Sequence, residues 1–410
     1  MDEPIRLFVG IALISLPTVM LGGYALLRLL GNERPGGFLT RTMFSRQDLL
    51  SEEESSGGQP VVQLRGIRQR WPQWVPYATV FWSLGYGLVA LVWTVTGSGF
   101  PLGENDPNWT SSLLAGVPAR VGAPLFAVVA LVGFVVATAM VWAMRRGDVL
   151  TTRSRGSAVV FGAVVAGWWL LIVPDARVLA VVGYLPMIVV LAPSDPEIRA
   201  SLVDAISPVH VNHVAVIVGG FLWAFATLAF ARRTTARGDH EPGWTIRAVT
   251  RWARPAVYVA AAVPAVYAVT RIAWAVGIPL GIRDDLFAEG TAAGQLQAGA
   301  WLASFGLVGS VLTFGLIARW GQVFPGWLPW LGGRSVPIGL AVVPATVVSA
   351  LVFSAGLGLS RSGLTGDIHF SVQSWAELGP ILLWPLWGAA LATATLAYYL
   401  RRRRTGRQCG

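Results

Sequence analysis

The sequence predicts an all-α, polytopic membrane helical bundle of about nine spans, with one N-terminal helix followed by two parallel four-helix repeats. Three observations carry that expectation. Hydrophobic residues make up 54% of the chain and charged residues 13%, whereas a soluble domain is about 25% charged. Arginines gather at the ends of apolar runs, as membrane topology requires. Finally, one pattern occurs twice. Arg70-Trp71, Tyr77, Tyr86, Trp93 and Pro101-Leu102-Gly103 return as Arg251-Trp252, Tyr258, Tyr267, Trp274 and Pro279-Leu280-Gly281. The spacings are identical up to the second tryptophan, and duplicated units bury the same face in the same way.

Composition also excludes several functions. The net charge is +10, but it sits at span ends and not along one soluble face, so no nucleic acid is expected as a partner. All 31 basic residues are arginine. A P-loop lysine and a lysine Schiff base are thereby ruled out. Cys409 is the sole cysteine, which removes internal disulfides and cysteine-based metal sites.

Residues 1–30 read as a retained transmembrane helix, since Asp2 and Glu3 stand where a signal peptide would be basic. Residues 31–74 read as a cytoplasmic, largely disordered linker holding the acidic, serine-rich run 51–58. The first four-helix repeat occupies 75–233, with spans expected near 75–96, 121–144, from 157 onward, and 210–231. Its third span meets Pro174-Asp175-Ala176-Arg177, where a proline and a charged pair should stop it. The apolar run 178–193 that follows is short for a crossing. A basic linker, 234–254, leads to the second repeat, 255–400, with spans near 255–278, 296–318, 336–356 and 378–400. A basic tail, 401–410, closes the chain.

Orientation follows from the arginines. Arg145 and Arg146, Arg232 and Arg233, Arg251 and Arg254, Arg319 and Arg334, and Arg401–Arg404 all fall on one side. The opposite loops hold only Arg120, Arg177, Arg199, Arg283 and Arg361. The positive-inside rule then puts the N-terminus outside and the C-terminus in the cytoplasm of a plasma-membrane protein. Parity makes 178–193 re-entrant or interfacial. Asn108-Trp109-Thr110 fits a glycosylation pattern on an outer loop, though so short a pattern recurs by chance.

Two groups of residues stand out chemically. Arg271 lies inside an apolar span, roughly 10 Å below its outer end, where a guanidinium is costly unless paired or snorkelling. Tyr267, Arg271 and Trp274 share one helix face, so an aromatic–guanidinium site for a small anionic ligand is expected there. The matching residue of the first repeat is Ala90; the charge is not part of the repeat scaffold. His210 and His213 share a face at the opening of the last span of repeat one. Glu377 stands at the corresponding place in repeat two, and Asp367 and His369 precede it. His210, His213 and Glu377 are the candidate metal ligands of an outer rim.

The aromatic pattern resembles that of small four-helix bacterial membrane proteins of unknown function, which carry a Tyr-then-Trp-x-x-Gly motif at the end of an early span. Tyr267 with Trp274-Ala275-Val276-Gly277 fits the motif, while Trp93-Thr94-Val95-Thr96-Gly97 is one residue longer. The resemblance implies a tandem-duplicated version of that unit and lends no activity. Three functions remain open: a transporter-like protein with its site between the repeats, a membrane enzyme or metal-binding protein acting at the outer face, and a structural or regulatory membrane subunit. The lipid bilayer is the one partner that composition fixes; cofactor and oligomeric state are not legible.

Overall fold

The structure, a computed structural model, describes residues 67–106, 112–147, 150–191, 193–194, 207–234, 243–364 and 374–408. The N-terminal span 1–30, the acidic run 51–58, the Asn108-Trp109-Thr110 pattern, Asp367 and His369 lie outside them. Among the described residues the architecture is all-α, with one isolated bridge, Val323 to Ser335, and no strand. Eight helices are long and apolar enough to cross a membrane. The protein is a multi-pass membrane helical bundle.

The first half begins with α1 (Ile67–Thr96), which carries Pro72 and Pro76 near its start. It extends eight residues further back than the expected span, into the segment read as linker. Pro72 and Pro76 stand in the second and third turns, and each removes one N–H from the helix ladder. α2 (Ala119–Arg146) ends on Gly147 in the left-handed conformation, with Arg145 and Arg146 in its last turn. α3 (Thr152–Gly167) is capped by Thr151 and runs on into a π turn, Trp168–Ile172. α4 (Ala176–Leu191) is the short apolar run, and it is too short to count among the spanning helices. α5 (Pro208–Arg233) is capped by Ser207, has proline at its first position, and ends in Arg232 and Arg233.

The second half opens with α6 (Gly243–Ala275), again starting inside a segment read as linker. A short helix, α7 (Asp284–Ala292), precedes α8 (Gln295–Phe314). α9 (Ile338–Leu364) follows. The last span is broken at Leu383 into α10 (Trp375–Leu382) and α11 (Trp384–Gln408).

The two halves pair their helices alike. α1 packs on α2 and α5, and α3 on α5; correspondingly, α6 packs on α8 and α11, and α9 on α11. The repeated Pro-Leu-Gly keeps its local geometry as well. Gly103 and Gly281 both have positive φ, 68° and 58°. A Cβ on Gly103 would meet the Val117 carbonyl oxygen at 2.1 Å, and one on Gly281 the Trp375 ring at 2.5 Å. In each half the turn folds back under the next element, and only glycine permits the approach.

α4 is what joins the halves. It packs chiefly on α9, with smaller contacts to α8 and α5, and the π turn also touches α9. Ala176 and Leu179 close an apolar cluster built from Val263, Val352, Ala355 and Trp384 of the second half. Arg361 of α9 donates to the Ser112 carbonyl of the first-half loop at 3.1 Å. Most of the run 178–193 therefore lies in α4, a helix in the seam between the halves.

The spans give a labelling pattern with one outcome for each orientation. With Cys409→Ser as background, single cysteines at exposed Ser98 and Ser194 should react with an impermeant maleimide on intact cells. Those at exposed Thr152 and Ser335 should react only after permeabilisation. The reverse pattern would invert the protein in the membrane.

Candidate functional site

The chain between α3 and α4 cannot stay helical. Proline at 174 has no N–H to donate and clashes with the preceding turn. The π turn absorbs the mismatch: Val173 N–H donates to the Trp168 carbonyl at 3.3 Å, and such turns mark functional or strained sites. Two groups then restart and fix the chain. The Ser354 hydroxyl of α9 donates to the Pro174 carbonyl at 2.5 Å. Asp175 caps α4, its Oδ1 accepting from Arg177 N–H at 3.0 Å.

Arg177 ties this break to the loop between α1 and α2. Its Nε donates to Asp175 Oδ1 and Oδ2 at 3.1 and 3.0 Å, and one terminal nitrogen also contacts Oδ2. The other end of the guanidinium grips Asp106 in a fork, with Nη1 to Oδ1 at 2.7 Å and Nη2 to Oδ2 at 2.5 Å. Asp106 and Asp175 are 2% and 1% exposed. One planar cation thus spans two buried carboxylates, a geometry that arginine supports and lysine does not. The level of this cluster is set by His213, whose Nε2 lies 3.9 Å from Asp175 Oδ2. His213 is five residues inside α5, so the cluster sits about 7 Å below that helix's start.

The histidines part company. His210 Nδ1 shares a 2.7 Å hydrogen bond with the Ser207 hydroxyl at the helix cap. His213 is fully buried, and among the described residues neither ring nitrogen has a hydrogen-bond partner; 3.9 Å is too long for one to Asp175. Its neighbour Asn212 accepts from the Tyr86 hydroxyl at 2.7 Å, joining α5 to α1. Glu377 is engaged in the second half, its Oε1 accepting from Arg283 N–H at 2.9 Å with Arg283 Nε at 3.5 Å. Among the described residues no group of three or more His, Cys, Asp or Glu side chains is placed to hold a metal ion.

The second polar site surrounds Arg271. The side chain is 9% exposed. Its Nη1 donates to the Ala376 carbonyl at 3.0 Å and its Nη2 to the Glu377 carbonyl at 3.2 Å, at the start of α10. The guanidinium carbon lies 4.6 Å from the Tyr267 ring centroid and 4.0 Å from that of Trp274. The three residues expected to meet on one helix face do meet. Trp274 is itself fixed, its indole N–H donating to the Leu280 carbonyl at 2.8 Å. Tyr184, half-buried on α4, lies within electrostatic reach of Tyr267 and Arg271, and a Cβ added to Gly299 of α8 would come 3.9 Å from the Arg271 side chain. Elements of both halves surround this guanidinium, yet no carboxylate among the described residues pairs with it.

The two buried arginines therefore differ in kind. Arg177 is neutralised twice over; Arg271 is held only by neutral carbonyls and rings. The seam cluster of Asp106, Asp175 and Arg177 was not a sequence candidate. Its signal was present as a charged pair beside a proline within an apolar stretch, a combination that is costly in a membrane, but the partner Asp106 lies on a distant loop.

No protein family, curated protein or solved structure matches this chain.

Proposed function

We propose that the protein is transporter-like and takes a small anionic solute between its two halves, near the end opposite the arginine-rich one, with Arg271 as the anchoring charge. The supporting observation is the environment of that guanidinium: buried within the span region, adjacent to elements of both halves, and without a carboxylate partner among the described residues. A charge in that position marks a solute or ion path more often than a scaffold. Transporters with paired halves bind their solutes between them, beside discontinuous helices; the break between α3 and α4 supplies such a discontinuity. Tyr267 and Trp274 cover the guanidinium and keep water from it, which strengthens its attraction for an anion.

The test is anion binding by purified protein in nanodiscs, titrated with chloride, inorganic phosphate, acetate and benzoate. At least one of these should raise the melting temperature of the wild type, and Arg271→Ala should lose that shift while remaining folded. The variant gives up hydrogen bonds worth about 1.5–3 kcal/mol each, but it also removes an uncompensated buried cation, so its own stability should fall only modestly. Arg271→Lys keeps the charge without the planar fork and should bind more weakly. No shift with any of the four anions, or equal shifts in wild type and Arg271→Ala, would count against an anion at this position.

A further inference from the structure

The connection between α8 and α9 is not a slack loop. After α8 ends at Phe314, a 3₁₀ turn, Arg319–Gly321, leads into a closed turn whose sides meet at the Val323–Ser335 bridge. Phe324 N–H donates to Arg334 O at 2.9 Å, Gly333 N–H to Phe324 O at 3.0 Å, and Val336 N–H to Gln322 O at 2.9 Å. The sides are so close that a Cβ on Gly332 would meet the Gly326 carbonyl at 2.8 Å. The base is bolted to the last span: the Tyr398 hydroxyl donates to Gly321 O at 2.7 Å, and Arg402 to Val336 O at 2.7 Å. Tyr398 and Arg402 mark where the apolar part of α11 gives way to its arginines, so the base lies at the same level.

What this turn presents is apolar. Trp330 is 92% exposed and Trp327 80% exposed, with Leu331 exposed beside them. Trp330 is also the one non-glycine residue among those described with positive φ, 61°. A bulky aromatic side chain rarely adopts that conformation, and where it does the surroundings have imposed it. Here that backbone carries an indole that faces outward and packs little within the fold. Exposed Arg319 and Arg334 flank the turn, and no acidic residue occurs between Glu289 and Asp367.

We propose that the turn 322–336 is an interfacial membrane anchor that seats Trp327 and Trp330 among the lipid headgroups at the arginine-rich end of the bundle. Its position selects the occupant. The turn joins two consecutive spans, its base is level with the end of a third, and its compact closure keeps the indoles near that level. Indoles favour this depth because their ring is apolar and their N–H polar. The flanking arginines suit the phosphate of anionic lipids, with no carboxylate nearby in sequence to repel it. Held this way, the turn would fix the height of α8 and α9 in the bilayer, and these are the helices that α4 packs against.

A nitroxide reports depth directly. The full-length protein with Cys409→Ser and Gly326→Cys is labelled and placed in nanodiscs of phosphatidylcholine and phosphatidylglycerol; position 326 has open space around its added side chain. Collisions with oxygen and with a water-soluble nickel chelate are then compared by electron paramagnetic resonance. The label should be shielded from nickel relative to one at exposed Thr152, and should become as nickel-accessible as that site when Trp327→Ala and Trp330→Ala are added. A label open to nickel with both tryptophans present would overturn the proposal and leave the turn facing water, free for a soluble partner. A label shielded equally with and without the tryptophans would overturn it too, because the indoles would then not be the anchor.

Discussion

Arg177→Ala should be among the most damaging single substitutions in the described part of the protein. It would leave Asp106 and Asp175 buried without the cation that bridges them, and breaking a buried pair in this way costs about 3–5 kcal/mol. That is a large fraction of the few kcal/mol by which proteins are stable. The expected result is a melting temperature too low for recovery of monodisperse protein in detergent, with Arg177→Lys intermediate because one ammonium cannot fork onto two carboxylates. The triple variant Arg177→Met, Asp106→Asn, Asp175→Asn separates charge from fold. Asparagine still caps α4, and no ion is left without its partner, so most of the lost stability should return. If Arg177→Ala instead melts like the wild type, water reaches the cluster and the seam is open at that level.

Trp169→Ala should approach the same size through packing alone. The side chain is fully buried on the π turn, with ring contacts to Trp82 at 5.4 Å, Tyr86 at 5.1 Å and Phe126 at 5.4 Å. It is where α1, α2 and the helix break converge. Truncating a buried tryptophan costs about 3–5 kcal/mol, and the cavity collapses poorly when its walls are rigid rings. Thermal unfolding of the purified variant measures this, and Trp169→Phe should recover part of the loss by keeping one ring. An unchanged melting temperature for Trp169→Ala would mean that the aromatic cluster is loosely packed. The Arg177 and Trp169 changes act on opposite sides of one short break, so their effects should not add.

The sequence by itself determined the class of object. Apolar runs of spanning length, arginines at their ends and the repeated Tyr, Trp and Pro-Leu-Gly positions depend only on local chemistry and on the bilayer's thickness, so they can be read without a fold. Tyr267, Arg271 and Trp274 were legible for a similar reason: helical periodicity alone sets them on one face. Helix starts were less so. α1 and α6 begin within segments whose polar composition reads as linker.

Only the tertiary structure decided which distant charges meet. Asp106 and Arg177 are separated by two spans, and nothing in either neighbourhood names the other. The same holds for Glu377, which shares an outer-rim position with the histidines by repeat alignment but accepts from Arg283. A hydrogen-bonded ion pair depends on positions in space to within an ångström, whereas spacing along a chain fixes position only within one helix. The seam role of 176–191 was hidden for a related cause. Its length marked it as short for a crossing, but what it packs against is a property of α9 in the other half.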